Sequence, residues 1–535
     1  MSGARIALAA LAAAVGAIAA AFTWQAGLAS LFDDSASYLV MAQVLCPWHA
    51  TPAPVALAFP AEKYPPLFPL LLALGGGAYD WRIAHAWVAL SFAAGVFLLG
   101  AHTRAITRSE ALGLAAALVF AWMPGMWINV KGILSEFPYV ALSLAALIQY
   151  RASDERPTKA RQALVCALVA ATVLTRTIGA ALVAAIALAE AWHWMRTRDG
   201  ARAARSAATL GIALAIVGAW YALRPSGGED TYVAFGSSVA QGAAQRGIAW
   251  LLGIVATNLS SMADAWLSAM LIFWGEPSKP TYLLACLVGA SGLAGTLWRA
   301  AEVEADAIYL IAFAAILAAW PFPGQMFRLA LPAMPLLVAN AFWLWMRIAA
   351  RFSPQRAVRW SAVAALVPIA LCVPASLSYV AGRASLPGHE IAAGYRLADI
   401  SEFYRIPLRP AAESAAMREI GVFADFQQIR ATTPEAARVM WYVPGYVALL
   451  AAREAVPLEH PADVAALPAQ LAARHPDYVY LSSLHPRDSA HRDGDPMDAL
   501  PSLLQRGDEV WHRTGPDGFT EAVLVRIDPA RLLRQ

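Results

Sequence analysis

Charge is scarce in this chain. Only 14% of its 535 residues are Asp, Glu, Lys or Arg, against 59% hydrophobic, where a soluble protein carries roughly a quarter charged residues. That excludes an ordinary water-soluble domain, and a mean hydropathy of +0.51 agrees. Cysteine is scarce too. Of four, Cys166, Cys286 and Cys372 lie inside apolar runs and only Cys46 falls in a predicted outer loop, so neither a disulfide pair nor a CxxC metal motif can be drawn. His49, His85 and His102 lack HxxxH spacing and are not read as metal ligands. A Gly-rich phosphate loop of the P-loop or dinucleotide kind is missing, and so is a convincing internal repeat. The net charge of +3 is small. Its basic residues sit in short loops, where they report topology and leave no footprint for a nucleic-acid partner.

What the chain has instead is apolar runs of the length that crosses a bilayer, about 17–25 residues. Eleven spans are expected, near 6–25, 84–101, 111–128, 133–150, 163–175, 178–195, 207–223, 281–298, 306–320, 329–346 and 360–381. The first resembles a signal peptide but is read as a retained helix. Three loops concentrate positive charge: Arg151, Arg156, Lys159 and Arg161; Arg196, Arg198, Arg202 and Arg205; Arg347, Arg351, Arg356 and Arg359. Threading eleven spans puts all three on one side, the cytoplasm by the positive-inside rule. The segment 248–274 is either an outer amphipathic helix or a re-entrant pair. The fold class is therefore a mainly α, polytopic transmembrane helical bundle, module 1–381, with an outer loop over 26–83.

That loop carries the stretch around which the reading turns. Asp33 and Asp34 stand side by side just beyond the first span, where paired carboxylates are costly unless solvated, paired or used in chemistry. One can act as a base toward an acceptor hydroxyl or amine, or the two can hold a divalent cation, Mg or Mn, against a phosphate. The bland reading is a helix N-cap with a solvated neighbour. A short helix is expected through Tyr38 to Leu45, and a second after Pro65 and Pro66. Both are expected to lie along the membrane surface.

Outer-side cations come next. Lys63, Arg176 and Arg328 each flank an apolar span, and fixed ammonium and guanidinium groups facing a membrane-level cavity suit a lipid phosphate. Snorkelling to headgroups is the competing account of each. Glu136 lies just inside the outer end of a span, expected to pair with Lys131 or a cavity arginine, or to assist the aspartates.

From about residue 382 the composition turns polar. Helical patterns over 411–429 and 464–474 alternate with strand-like runs at 437–442, 478–481 and 522–527, predicting a small α/β domain over 382–535 on the outer side. Asp425 and Glu435 read as surface chemistry.

Taken together, "DDSASYLVMAQVL" (33–45), "KYPPLFPLLLAL" (63–74), "LTRTIGAAL" (174–182), "FRLALPAMPLL" (327–337) and the stretch 426–459 resemble the C-type (GT-C) glycosyltransferase superfamily. The resemblance is to bacterial relatives of the protein O-mannosyltransferases and the lipid A aminoarabinose transferase. It implies a transferase using a polyprenyl (undecaprenyl) phosphate sugar, with a lipid, glycan or protein acceptor and its active site at the outer face. The Ala- and Arg-rich composition suits a bacterium of high genomic GC content, which makes that face the periplasmic side of an inner membrane. Asp33 matches the first acidic position of the loop motif and Asp34 the second. Lys63 falls beside the basic-Pro-Pro motif, from which Tyr64 separates it, and Arg328 fits the arginine before the late Pro-containing span. Lys63, Arg176 and Arg328 are then donor-phosphate contacts, with Tyr38, Tyr64 and Glu136 supporting. The alternative is a transporter or flippase of a lipid-linked or anionic substrate, which normally shows repeats and midplane charges.

Overall fold

A computed structural model describes residues 3–24, 34–59, 64–224, 231–383, 410–458, 464–483, 496–515 and 518–532. Asp33 and Lys63 lie outside these residues. The chain packs as two units. Met1–Trp24, Ala61–Phe68 and His85–Leu386 form the first, and Gln25–Pro60, Pro69–Ala84 and Pro387–Gln535 the second.

The helices begin with α1 (Gly3–Thr23), α2 (Ser35–Leu45), α3 (Ala53–Leu57), α4 (Leu67–Leu74), α5 (Trp81–Thr107), α6 (Glu110–Trp122), α7 (Pro124–Asn129), α8 (Glu136–Glu155) and α9 (Lys159–Thr175). They continue through α10 (Ala180–Thr197), α11 (Gly200–Leu223), α12 (Thr231–Arg246), α13 (Ile248–Leu271), α14 (Lys279–Ala301) and α15 (Ala305–Ala318). The first unit closes with α16 (Met326–Ala330), α17 (Met334–Phe352), α18 (Ala357–Ala364) and α19 (Leu366–Arg383).

Among the described residues, eight helical stretches are long and apolar enough to cross a membrane, and seven of them coincide with expected spans. The expected spans at 111–128, 133–150, 163–175 and 306–320 also fold as helices, but shorter or more charged ones. The first of them is interrupted: Pro124 cannot supply the N–H that would continue α6, so the chain restarts as α7. The eighth stretch is Ile248–Trp274, one continuous helix rather than a re-entrant pair. Its partners follow one another along its length. Asn258 donates to the carbonyls of Ala318 and Trp320, Trp266 to that of Ala285, and Trp274 to that of Leu371.

Ion pairs fix which loops share an end of the bundle. Arg202 meets Asp154 at 2.7 Å, Arg151 approaches Glu304, and Arg347 meets Glu302 at 3.0 Å. The three basic loops therefore lie at one end, as their charge pattern predicts. Buried beside them, Arg299 binds Asp306 at 2.7 Å, and Asp306 accepts His102 at 3.0 Å. His102, which has no partner legible in its own neighbourhood, thus closes a network with residues about two hundred positions away.

In the second unit, α20 (Pro410–Thr432) and α21 (Leu467–Arg474) flank a five-stranded sheet. Its strands are β1 (Arg438–Trp441), β2 (Glu454–Pro457), β3 (Tyr478–Ser482), β4 (Gly507–Thr514) and β5 (Thr520–Ile527), in the order β2-β1-β3-β5-β4. β1 pairs in parallel with β2 and β3, while β5 pairs antiparallel with β3 and β4. Period-two alternation sorts the faces. Val479 and Leu481 join Leu467, Leu471 and Leu503, whereas Tyr480 points to the opposite face, toward Phe426 of α20. The expected α/β character holds; β2 and β4 are additions to the three predicted strands.

Candidate functional site

At the end of the bundle opposite the basic loops, three of the expected site residues come together. Glu136 is the first residue of α8, where a carboxylate is favoured by the exposed N–H groups of the helix start. Ser135 before it occupies the N-cap position but makes no side-chain cap. Its hydroxyl accepts instead from Arg176 Nη1 at 3.2 Å. Arg176 lies in the turn between α9 and α10, which Gly179 makes possible: a Cβ there would stand 2.9 Å from the Val173 backbone. Arg328 sits on α16, just ahead of the Pro-containing start of α17.

Both guanidinia converge on one oxygen. Arg176 Nη1 lies 2.6 Å from Glu136 Oε1, and Arg328 Nε lies 3.3 Å from the same atom. The angles miss hydrogen-bond geometry at the carboxylate, so the contact is an ion pair. Glu136 is 1% exposed and each arginine side chain 13%. Burying a carboxylate this deeply costs several kcal/mol unless charge compensates it; here two cations do. Glu136 therefore pairs with cavity arginines, as one of its sequence alternatives held. Lys131, the other expected partner, is itself buried. One turn below, Tyr139 and Tyr309 share a 2.8 Å hydroxyl–hydroxyl bond, so the floor of the cluster is polar but uncharged.

Of the remaining candidates, Tyr64 is buried in the first unit. Asp34 and Tyr38 belong to the second. Asp34 occupies the N-cap position of α2 without a side-chain cap bond, so its carboxylate is not used as an ordinary helix cap. Tyr38, one turn on, is buried. Eight of the eleven residues of α2 are buried by protein; this helix is not one that rests its apolar face on lipid alone. Among the described residues no three His, Cys, Asp or Glu side chains group as a metal site.

Asp425, expected at the surface, is buried. Tyr480 donates to its Oδ2 at 2.6 Å, Arg513 Nε meets both its oxygens at 3.1 Å, and Arg513 also pairs with Glu521. The sequence separations, 55 and 88 residues, explain why no local pattern announces it. Burial, then the Asp425 charge, pushes the Tyr480 phenol well above its usual range. Burial alone would lower Arg513, but its bond to Asp425 raises it.

No protein-family model matches the sequence, and no curated protein matches it. Solved structures do. The apo structure of ArnT from Cupriavidus metallidurans aligns over 99% of both chains at 12% identity, with a TM-score of 0.51. The same enzyme bound to undecaprenyl phosphate aligns over 98% of both at 14% identity and 0.49. An Archaeoglobus fulgidus oligosaccharyltransferase tethered to an acceptor peptide aligns over 96% of this chain and 73% of its own at 12% and 0.48. The first of these carries the assignment: the chain has the GT-C fold, as its motifs suggest.

Proposed function

We propose that this chain, with its GT-C fold, is a membrane glycosyltransferase that moves a sugar from a polyprenyl phosphate to a cell-envelope acceptor. The observation that carries the reading is the pair Arg176 and Arg328, pre-set on the buried Glu136 carboxylate at the end of the bundle away from the basic loops. The positive-inside rule places those loops in the cytoplasm. The arginine pair, the aspartate loop and the C-terminal domain then face the periplasm of a bacterial inner membrane.

The chemistry follows from the groups. In a single displacement the bond from the sugar's anomeric carbon to the phosphate oxygen breaks as the bond to the acceptor oxygen forms. Negative charge grows on the leaving phosphate, and fixed guanidinia that need no reorganisation lower its energy, with Lys63 as a third cation. A guanidinium carries five donors in a planar fork whose geometry matches the oxygens of a phosphate. Asp33 takes the acceptor proton from the opposite face of the sugar, inverting the anomeric centre, and Asp34 orients the acceptor. Because both partners are held, the barrier loses much of its entropic part.

Native mass spectrometry of the detergent-purified protein, wild type beside Asp33→Asn, tests this. The expected result is a co-purifying polyprenyl-phosphate sugar that the variant retains while wild type converts it to free polyprenyl phosphate. Equal loss of sugar from both, or no such lipid with transport of an anionic solute intact, would replace the transferase by a transporter.

A further inference from the structure

The helix that carries Asp34 is held by the C-terminal domain. Along one face of α2, residues Ala36, Val40 and Val44 recur at the four-residue spacing that aligns side chains on a helix. Val40 packs with Val55 of α3 and Ala448, and Val44 and Leu449 close the same cluster. Gly445 approaches closest: a Cβ on it would stand 3.5 Å from Ala36 Cβ and 3.6 Å from Val40 Cγ2. At the far end of α2, Gln43 Nε2 donates to the Ala78 carbonyl at 3.1 Å. That bond ties down the helix C terminus, while the turn bearing Gly445 meets the end that bears Asp34.

This turn is unusual. Pro444–Tyr446 is one helical turn, and Val447–Ala451 continues it as a π-helix ending at Ala452 in the left-handed region, φ 52°. π turns are rare and concentrate at functional sites, and a non-glycine residue at positive φ is strained unless its surroundings impose it. Here they do. Arg453, buried, makes five hydrogen bonds: to the carbonyls of Ala451, Ala452, Arg430 and Thr433, and to Thr433 Oγ1. It rivets the turn to the end of α20. Tyr446 is buried against Trp441 and Phe423. A strained, over-determined turn thus presents two small residues, Gly445 and Ala448, to α2.

We infer that the C-terminal domain is a positioning element for Asp34: the turn 444–451 sets where the N terminus of α2, and with it Asp34, stands. The inference rests on the reading of Asp33 and Asp34 as site residues. Gly445, Ala448 and Arg453 act through α2 and touch no substrate.

The test uses the full chain in detergent. Ala448→Phe overpacks the contact, and Arg453→Ala releases the turn. Each is expected to speed hydrogen exchange at α2 amides and to cut turnover of the lipid-linked sugar about tenfold or more, while undecaprenyl phosphate binds as in wild type. Ala36→Cys with Gly445→Cys supplies a lock, since the 3.5 Å Cβ separation suits a disulfide. Oxidised, it should turn over like its own reduced form, and in the Arg453→Ala background it should restore both α2 protection and turnover. Unchanged α2 exchange in both single variants, or a lock that abolishes turnover, overturns the inference. Faster α2 exchange with full turnover overturns it as well. In that case wild-type turnover by Asp33→Asn and Asp34→Asn would show that the catalytic reading had failed, not the contact.

Discussion

In the helical unit one buried carboxylate, Glu136, meets two guanidinia; in the C-terminal domain two carboxylates, Asp425 of α20 and Glu521 of β5, meet one, Arg513. The first trio has positive charge in excess and sits at a turn and at a helix start. The second has negative charge in excess, receives a further hydrogen bond from Tyr480, and clamps α20 to an edge strand. On the proposed function the first cluster meets a lipid phosphate. A cluster whose single cation is shared between acids is built to stay closed. Burial alone therefore does not separate a functional site from a structural one.

The largest effect that sharpens this contrast is loss of the cations. Arg176→Ala and Arg328→Ala should each lower turnover about a hundredfold or more, the scale on which single charge-stabilising donors act. Arg328→Lys should recover only part, because an ammonium lacks the planar fork. Single-turnover conversion of the bound lipid-sugar checks both, with unfolding midpoints as the folding control. A full rate in either alanine variant would break the comparison.

Glu136→Gln is expected to act less and in two directions. Without its charge the arginines bind a phosphate more tightly, but they are no longer held apart at fixed positions. Undecaprenyl phosphate affinity should rise while turnover falls about tenfold, roughly 1.4 kcal/mol of transition-state stabilisation. Titration by native mass spectrometry alongside the rate assay reads the two separately.

The smallest effect lies in the sheet. Tyr480→Phe removes one hydrogen bond to a carboxylate, about 1.5–3 kcal/mol, and should leave turnover at neutral pH unchanged. Its signature is alkaline. The folded phenol is held protonated well above 10, so in the unfolded chain it ionises first, near pH 10. The associated stability is complete below that pH and is lost as pH rises above it. Thermal unfolding between pH 9 and 11 should show wild type losing stability over that window more steeply than the variant.

Much of the scaffold was legible in the sequence because it depends on local properties. Apolar length gave the helices, and clustered Arg and Lys gave three loops that the ion pairs of Asp154, Glu302 and Glu304 bring to one end. Alternating polarity gave three of the five strands. β4 escaped notice because its burial does not alternate cleanly and its register slips at a bulge. β2 is a four-residue edge strand, too short for a pattern.

By itself the sequence determined that this is a membrane protein, which residue types could meet a phosphate, and which superfamily its motifs resemble. Only the tertiary structure decided that Glu136 pairs with Arg176 and Arg328, that His102 belongs to Asp306, and that Asp425 is a buried clamp. It also decided that α2 is seated on the turn 444–451. The physical reason is the same in each case. An ion pair or a packed face is a relation between residues far apart in the chain, from Glu136 with Arg176 to Ala36 with Gly445, set by which helices and strands become neighbours. Residue type and local spacing fix only what each partner is able to do once it arrives.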